Sequence, residues 1–183
     1  IADPTKAQNV RKLFTLGTPH LGSVKFLKAL RYGECLTEPR LQDLPFCIGI
    51  NPLEMKDVIQ NMISGYELAP TQTYFSFYNG SSSQYPYPYR TESGALNYLQ
   101  IKNLFTDLNH NTVLFTPSEA FHSIDSAFSN TNGVDITIIA GSGQNTLGQI
   151  IEIQTTSFLG IQGIKKDVIS INGDETVPLY SAS

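Results

Sequence analysis

The sequence contains no tryptophan, no cluster of basic residues and no long apolar run. No stretch approaches the roughly 20 apolar residues that a membrane-spanning helix needs. Surfaces that bind nucleic acid carry clustered lysine and arginine, whereas this chain has a formal net charge of −4, so its composition argues against a nucleic-acid partner. With 40% hydrophobic and 15% charged residues among its 183 residues, the chain is predicted to fold around a buried core as one domain.

The chain has only two cysteines, Cys35 and Cys47. Their spacing is compatible with a disulfide that pins a loop, and equally with two free thiols, so both interpretations stay open. No further cysteine or histidine lies at the spacing of a structural zinc site. The cysteines therefore predict neither a metal site nor a cofactor.

The apolar pattern predicts an α/β protein. Short apolar runs that end at turn residues predict strands over residues 12–17, 134–140, 149–155 and 168–171. Helical spacing of apolar residues predicts helices over residues 24–32, 52–64 and 91–108, and a capping box at Thr116 and Glu119 predicts a helix that continues through Phe128. The first strand is thus separated from the later strands by a mainly helical insertion at about residues 24–130.

Two predicted strands are followed directly by turns rich in small and polar residues. Residues 16–23 have the sequence L-G-T-P-H-L-G-S and follow the first strand, and residues 172–179 have the sequence N-G-D-E-T-V-P-L and follow the last. Open α/β sheets bind their ligands at the carboxyl ends of the strands. We therefore expect the functional residues in these two turns.

The two turns, together with residues 62–71 and 133–146, resemble the lecithin:cholesterol acyltransferase-like branch of the α/β-hydrolases, which includes bacterial lipase-like relatives. The resemblance covers nearly the whole chain. It implies a single partial α/β-hydrolase domain over residues 1–183, formed by the late strands of the sheet and a cap at about residues 24–130. It also implies a serine-dependent hydrolase or O-acyltransferase of lipid esters, with no cofactor or metal.

The resemblance assigns Asp174 as the acid of a Ser-His-Asp triad, the residue that orients the triad histidine. An alternative is that Asp174 only shapes a tight turn after Gly173. Glu175 is the rival carboxylate, and the positions of Val177 and Pro178 in the motif favour Asp174. Thr18 and Ser23 are interpreted as turn formers.

The serine and the histidine of such a triad are missing from the sequence. No G-x-S-x-G motif occurs, and no histidine follows His122, although the triad order in this fold is serine, acid, histidine. Residues 1–4 resemble the end of the helix that follows the nucleophile. We therefore expect the serine before residue 1 and the histidine after residue 183, in the same protein, and no esterase activity from these residues alone.

The remaining expectations concern the histidines, the cap and the first strand. His20 is expected to be structural, His110 to be a solvated loop residue and His122 to be satisfied or half-exposed. The strand at residues 12–17 is predicted to present an exposed apolar edge and to favour aggregation or dimerisation. The aromatic residues of the cap suit an acyl chain or transient contact with a lipid surface, or else ordinary packing: Phe75, Phe77, Tyr78, Tyr85, Tyr87 and Tyr89.

Two other functions are compatible with the same sequence. One is a non-catalytic domain that keeps the hydrolase fold and binds a ligand through the aromatic cap. The other is an esterase that acts on small acyl esters. Acyl-chain preference distinguishes an esterase for small acyl esters from a lipase. The presence or absence of a nucleophile motif in the parent protein distinguishes an enzyme from a non-catalytic binding domain.

Overall fold

A computed structural model describes residues 3–33, 51–123, 131–156 and 162–182 of the chain. Cys35 and Cys47 lie outside these residues, as do Ile1 and Ala2. Asp3 caps the first helix by accepting a hydrogen bond from the Thr5 amide, so the chain begins a helix at this point. The interpretation of residues 1–4 as the end of a helix is therefore wrong at Asp3 and Pro4.

The helices are short, and most of them lie between the first strand and the fourth. They are α1 (Pro4–Ala7), α2 (Val24–Tyr32), α3 (Pro52–Ile59), α4 (Ile63–Glu67), α5 (Gln72–Phe77), α6 (Tyr98–Asp107) and α7 (Phe115–His122), with 3-10 turns at Thr112–Leu114 and Leu179–Ala182. Among the described residues, no helix is long and apolar enough to cross a membrane.

In the described part of the chain, six strands form two sheets. They are β1 (Lys12–Leu16), β2 (Tyr89–Thr91), β3 (Gly94–Ala95), β4 (Asp135–Ile139), β5 (Gln144–Thr156) and β6 (Gln162–Gly173). One sheet is the parallel pair β1-β4, and the other has the order β3-β2-β5-β6 with both parallel and antiparallel pairing. The chain therefore has the mixed α/β content that its sequence predicts, although the four predicted strands divide between two sheets.

The helix boundaries differ from the predicted ones for local reasons. The helix predicted over residues 91–108 begins only at Tyr98, because the β2-β3 turn occupies the preceding residues and Asn97 forms a capping box with Gln100. The helix predicted over residues 52–64 ends at Ile59. Thr116 does not cap α7, which already begins at Phe115 after a 3-10 turn.

The core lies between the cap helices, α2 and the β2-β5 part of the larger sheet, and it is rich in tyrosine. Its buried members include Val24, Leu27, Leu30, Tyr66, Tyr74, Tyr78, Tyr89, Ile101, Phe105, Phe115 and Ile150. Tyr74 and Tyr78 stack with their ring centroids 4.2 Å apart. Because the insertion supplies most of these side chains, its helices form the larger part of the hydrophobic core.

The β1-β4 sheet has an exposed apolar face. Phe14, Leu16 and Ile139 are 53%, 68% and 50% exposed, and Leu16 is paired directly with Ile139. Lys12 and Asp135 form an ion pair of 3.0 Å at the other end of the same face. Among the described residues, each of the two strands has one edge without a strand partner. The predicted exposure of the first strand is confirmed, and its self-association stays a prediction.

His110 is buried, so the expectation of a solvated loop residue is wrong. Its side chain packs against Phe105, with ring centroids 4.7 Å apart, and within the described part of the chain neither ring nitrogen has a hydrogen-bond partner. Burial, helped by the charges of Lys56 and Arg31, lowers the pKa of His110 to about 4. The folded protein therefore holds a neutral imidazole here.

We expect acid to destabilise the protein through His110. The unfolded chain binds a proton below about pH 6.5, whereas the folded state binds it only near pH 4, so stability falls as the pH drops between these values and does not change further above them. The loss should approach about 3 kcal/mol. Urea unfolding at several pH values from 7.5 to 4.5 would measure this loss in the free energy of unfolding. The variant His110→Phe, whose side chain cannot ionise, should show a smaller loss over the same pH range. An identical pH slope in the variant would contradict the assignment.

Candidate functional site

Asp174 lies in the turn that follows β6, and it is half-buried. Its Oδ1 accepts hydrogen bonds from the amides of Thr176 at 2.9 Å and Val177 at 2.7 Å. Its own amide donates to the Val177 carbonyl at 3.3 Å, and Gly173 forms an isolated bridge with Pro178. One carboxylate oxygen thus shapes the turn, as the structural interpretation of Asp174 requires.

The other carboxylate oxygen of Asp174 faces the ends of the parallel strands. A Cβ atom added to Gly17, the residue after β1, would lie 3.2 Å from Oδ2, and one added to Gly141, just beyond β4, would lie 2.7 Å from the Asp174 Cβ. The pairing of β1 with β4 extends as far as Gly17, because the Gly17 amide donates to the Ile139 carbonyl at 2.8 Å. No residue in the described ranges hydrogen-bonds to Oδ2. This oxygen therefore lies at the carboxyl ends of both strands.

The turn of Asp174 is attached directly to the turn at residues 16–23. The Ser23 hydroxyl donates to the Thr176 carbonyl, and the Lys25 ammonium lies 3.5 Å from the Thr176 hydroxyl. In the opposite direction, the Ser181 hydroxyl donates to the Gly22 carbonyl at 2.5 Å. The two motifs that the sequence predicts at one edge are thus in contact in the structure.

The segment at residues 62–71 completes this junction. The Ser23 amide donates to the Leu68 carbonyl, and the Thr71 amide donates to the Leu21 carbonyl, both at 2.9 Å. Gly22 has a φ of +90°, and a Cβ atom there would lie 2.1 Å from the Ala69 carbonyl oxygen. Only glycine fits this close approach, so the cap rests on the first turn at a fixed point.

Glu175, the rival carboxylate, has an exposed side chain and a positive φ of 77°. Its amide donates to the hydroxyl of Thr146 at 2.9 Å, and Thr146 is fully buried in β5. The backbone at Glu175 is therefore held in an unfavourable conformation by the larger sheet, while its carboxylate points away from the core. Of the two carboxylates, only Asp174 lies against the strand ends.

Several contacts of the junction have no signal in the sequence. Thr146 and Ser181 are polar residues of common type, and only the fold reveals that both are fully buried. Asn172 accepts a hydrogen bond from the Gly143 amide at 2.7 Å, which joins the loop after β4 to the strand that leads to Asp174. Its position beside the G-D motif is the only feature that could have suggested a role.

The described histidines lie in three different environments. The Nε2 atom of His20 is 3.4 Å from the Thr15 hydroxyl, in the turn after β1, and Nε2 of His122 donates to the Glu67 carbonyl at 2.6 Å. His122 is half-exposed, as predicted, and His110 lies in the core. Neither His20 nor His122 shows a hydrogen bond to the carboxylate of Asp174.

A cavity of about 240 Å³ lies inside the cap. Its aromatic wall is formed by Tyr66, Tyr98 and Phe115, and polar groups come from Ser118, Glu119 and His122. The segment that supports Gly22 also lines it, through Ala69, Pro70 and Thr71. The cavity is therefore directly adjacent to the junction of the turns.

The aromatic residues of the cap have unequal exposure. Tyr78 and Tyr89 are buried in the core, whereas Phe77 and Tyr87 are exposed. Tyr180, which follows the Asp174 turn, packs on Phe77 with ring centroids 4.3 Å apart. Ordinary packing thus explains Tyr78 and Tyr89, and Phe77 and Tyr87 are the members that a ligand or a surface could contact.

Comparison of the chain with protein-family models gives no match, and comparison with curated proteins also gives none. Within the described ranges, no group of three or more histidine, cysteine or acidic side chains could hold a metal ion. The functional interpretation therefore rests on the motifs and on the geometry around Asp174.

Proposed function

We propose that this chain is part of a serine-dependent acyl ester hydrolase or O-acyltransferase of the α/β-hydrolase fold, acting on lipid esters, with Asp174 as its triad acid. One observation carries the proposal. Asp174 is held in its turn through Oδ1, while Oδ2 faces the ends of β1 and β4 without a hydrogen bond from any described residue. A triad acid needs one oxygen fixed and one available in this way.

In this mechanism Asp174 accepts the Nδ1–H of a histidine. That bond selects the tautomer whose Nε2 can remove the proton of the serine hydroxyl, and it stabilises the imidazolium that forms as the serine attacks the ester carbonyl. Histidine then delivers the proton to the leaving alcohol. The proposal requires a serine and a histidine in addition to Asp174, because the 183 residues contain no G-x-S-x-G motif and no histidine after Asp174.

Two features of the fold support this proposal. The strands of the parallel β1-β4 pair are each followed by a turn at the carboxyl end, an arrangement compatible with two late strands of a hydrolase sheet. The insertion between them, at about residues 24–130, is the cap, and it contacts the first turn at Gly22 through residues 68–71. This contact supports a role for the insertion in controlling access to the ester.

The cap supports a lipid ester as the proposed substrate. The cavity with its aromatic wall suits the apolar part of an ester, and exposed Phe77 and Tyr87 suit transient contact with a lipid surface. The chemistry needs no cofactor and no metal, because serine, histidine and Asp174 perform the proton and acyl transfers between them.

A non-catalytic binding domain is the second candidate, and one observation favours it. The Oδ1 contacts with Thr176 and Val177 are enough to explain an aspartate in this turn without any histidine. In that case the cap cavity would bind a ligand that the protein does not transform. The two candidates differ in whether the full-length protein contains an activated serine.

Fluorophosphonate labelling of the full-length protein separates these candidates. A serine hydrolase should be labelled covalently and should release p-nitrophenol from an acyl ester, with palmitate preferred over butyrate if the substrate is a lipid. The isolated 183-residue chain is the matched control and should not be labelled. A folded full-length protein without labelling or turnover would move the assignment to a binding domain.

A further inference from the structure

Two buried serines connect the Asp174 turn to the turn after β1. Ser23 and Ser181 are both fully buried, and each donates its hydroxyl proton to a carbonyl of the other turn. Ser23 donates to Thr176, and Ser181 donates to Gly22, over sequence separations of 153 and 159 residues. The bonds therefore run in opposite directions across the same junction.

The hydroxyl proton of Ser23 is committed to a single acceptor. It donates to the Thr176 carbonyl and accepts from the Lys25 amide at 3.3 Å, as the N-cap of α2. A serine hydroxyl has a single proton to donate, so this proton is not available for another role. Ser23 thereby fixes the Asp174 turn relative to the first residues of α2, a helix of nine residues.

Ser181 makes the return contact from the 3-10 turn at Leu179–Ala182. Besides the bond from its hydroxyl to Gly22, its carbonyl accepts from the Leu21 amide at 3.4 Å. Buried serines usually satisfy their hydroxyls on nearby backbone of the same segment. A long-range pair that crosses one junction twice is different, because it fixes the relative position of two separate turns.

The contacts of Ser23 and Ser181 bear on the position of Asp174. The bonds from Thr176 and Val177 to Oδ1 shape the turn internally, and the contacts of Asn172 and Glu175 join it to the loop after β4 and to β5. The two serines connect it to the turn after β1. We propose, on the basis of the proposed function, that Ser23 and Ser181 are positioning residues that hold Asp174 Oδ2 at the strand ends for the triad histidine.

The test uses the full-length protein with Ser23→Ala and Ser181→Ala. Because a displacement near 1 Å can cost about 100-fold in rate, we expect each variant to lower kcat by roughly 10- to 100-fold with KM changed less than about twofold. We also expect the acidic limb of the pH profile of kcat/KM to shift to lower pH, since a displaced carboxylate stabilises the imidazolium less. A purely structural serine would not move that limb.

Ser76→Ala is the matched control, because the Ser76 hydroxyl donates to the Gln72 carbonyl within its own helix α5, so its loss should leave kcat and the pH profile unchanged. Folded alanine variants with wild-type kcat and pH profile would overturn the inference, and so would unfolding of both variants, since the hydroxyls would then support the whole fold. Asp174→Asn distinguishes failure of the proposed function from failure of the positioning role. Full activity of Asp174→Asn would contradict the proposed function itself. An inactive Asp174→Asn variant together with fully active serine variants would contradict only the positioning role.

Discussion

Replacing Asp174 by asparagine in the full-length protein is expected to lower ester turnover by about 10⁴-fold. The amide keeps an oxygen for the hydrogen bonds from Thr176 and Val177, so the turn itself should persist. The amide nitrogen then occupies the position of Oδ2, where it cannot accept the Nδ1–H of a histidine. Under the proposed function, we expect the imidazole to adopt the wrong tautomer and to lose its ability to remove the serine proton. Steady-state kinetics with a chromogenic ester would measure the loss.

Glu175→Gln is the matched control for this substitution. It makes the same change of carboxylate to amide at the neighbouring residue, whose side chain is exposed and whose structural contact is made by the backbone amide. We expect turnover within about twofold of wild type, because surface substitutions away from the site have small effects. Equal losses in the two variants would identify a general defect of the turn and would contradict the role of Asp174 as the acid.

The second large effect concerns stability and lies at Glu152. Its Oε1 forms an ion pair of 2.9 Å with Arg31 and accepts a hydrogen bond from the Tyr32 hydroxyl, and the side chains of Glu152 and Arg31 are only about a tenth exposed. Tyr32 and Tyr89 hydroxyls lie 3.0 Å apart in the same group. Glu152→Ala leaves the guanidinium buried without a counter-charge, so we expect a loss of about 3 to 5 kcal/mol in the free energy of unfolding.

Urea unfolding monitored by circular dichroism would measure this loss, and Asp135→Ala provides the comparison. Asp135 pairs with Lys12 at 3.0 Å, but both side chains are largely exposed, so that variant should lose less than about 1 kcal/mol. The double substitution Arg31→Met and Glu152→Leu should recover much of the stability, because it removes both buried charges. Equal losses for the buried and the exposed pair would show that the Arg31 group does not stabilise the fold.

The sequence predicts the junction better than it predicts the sheets. The motifs after two strands indicate a common edge, and the structure shows them in contact through Ser23 and Thr176. The β5-β6 hairpin is longer than the strands that the sequence predicts. Many of its outer residues, such as Lys165 and Lys166, are exposed and polar, so they give no apolar signal in the sequence. Asn97 and Gln100 form a capping box that could have located the start of α6.

Tertiary packing explains what the sequence could not reveal. His110 is flanked by two asparagines, which suggest a solvated loop, whereas in the structure its buried ring packs against Phe105. Thr146, Ser23 and Ser181 are fully buried, and although Ser23 lies in the first turn motif, no local pattern shows that these three hydroxyls are buried. Their role depends on partners far away in the sequence, which no local pattern encodes.

The pairing of β1 with β4 has a consequence for the order of folding. Leu13 pairs with Ile136, so this sheet closes a loop that contains every helix from α2 to α7. The entropy lost in closing such a loop is recovered only when distant contacts form, whereas the β5-β6 hairpin and the individual helices are local. We therefore expect the helices and the hairpin to form early and the parallel pair late. The space beside Asp174, bounded by Gly17 and Gly141, is then created in the last stage of folding.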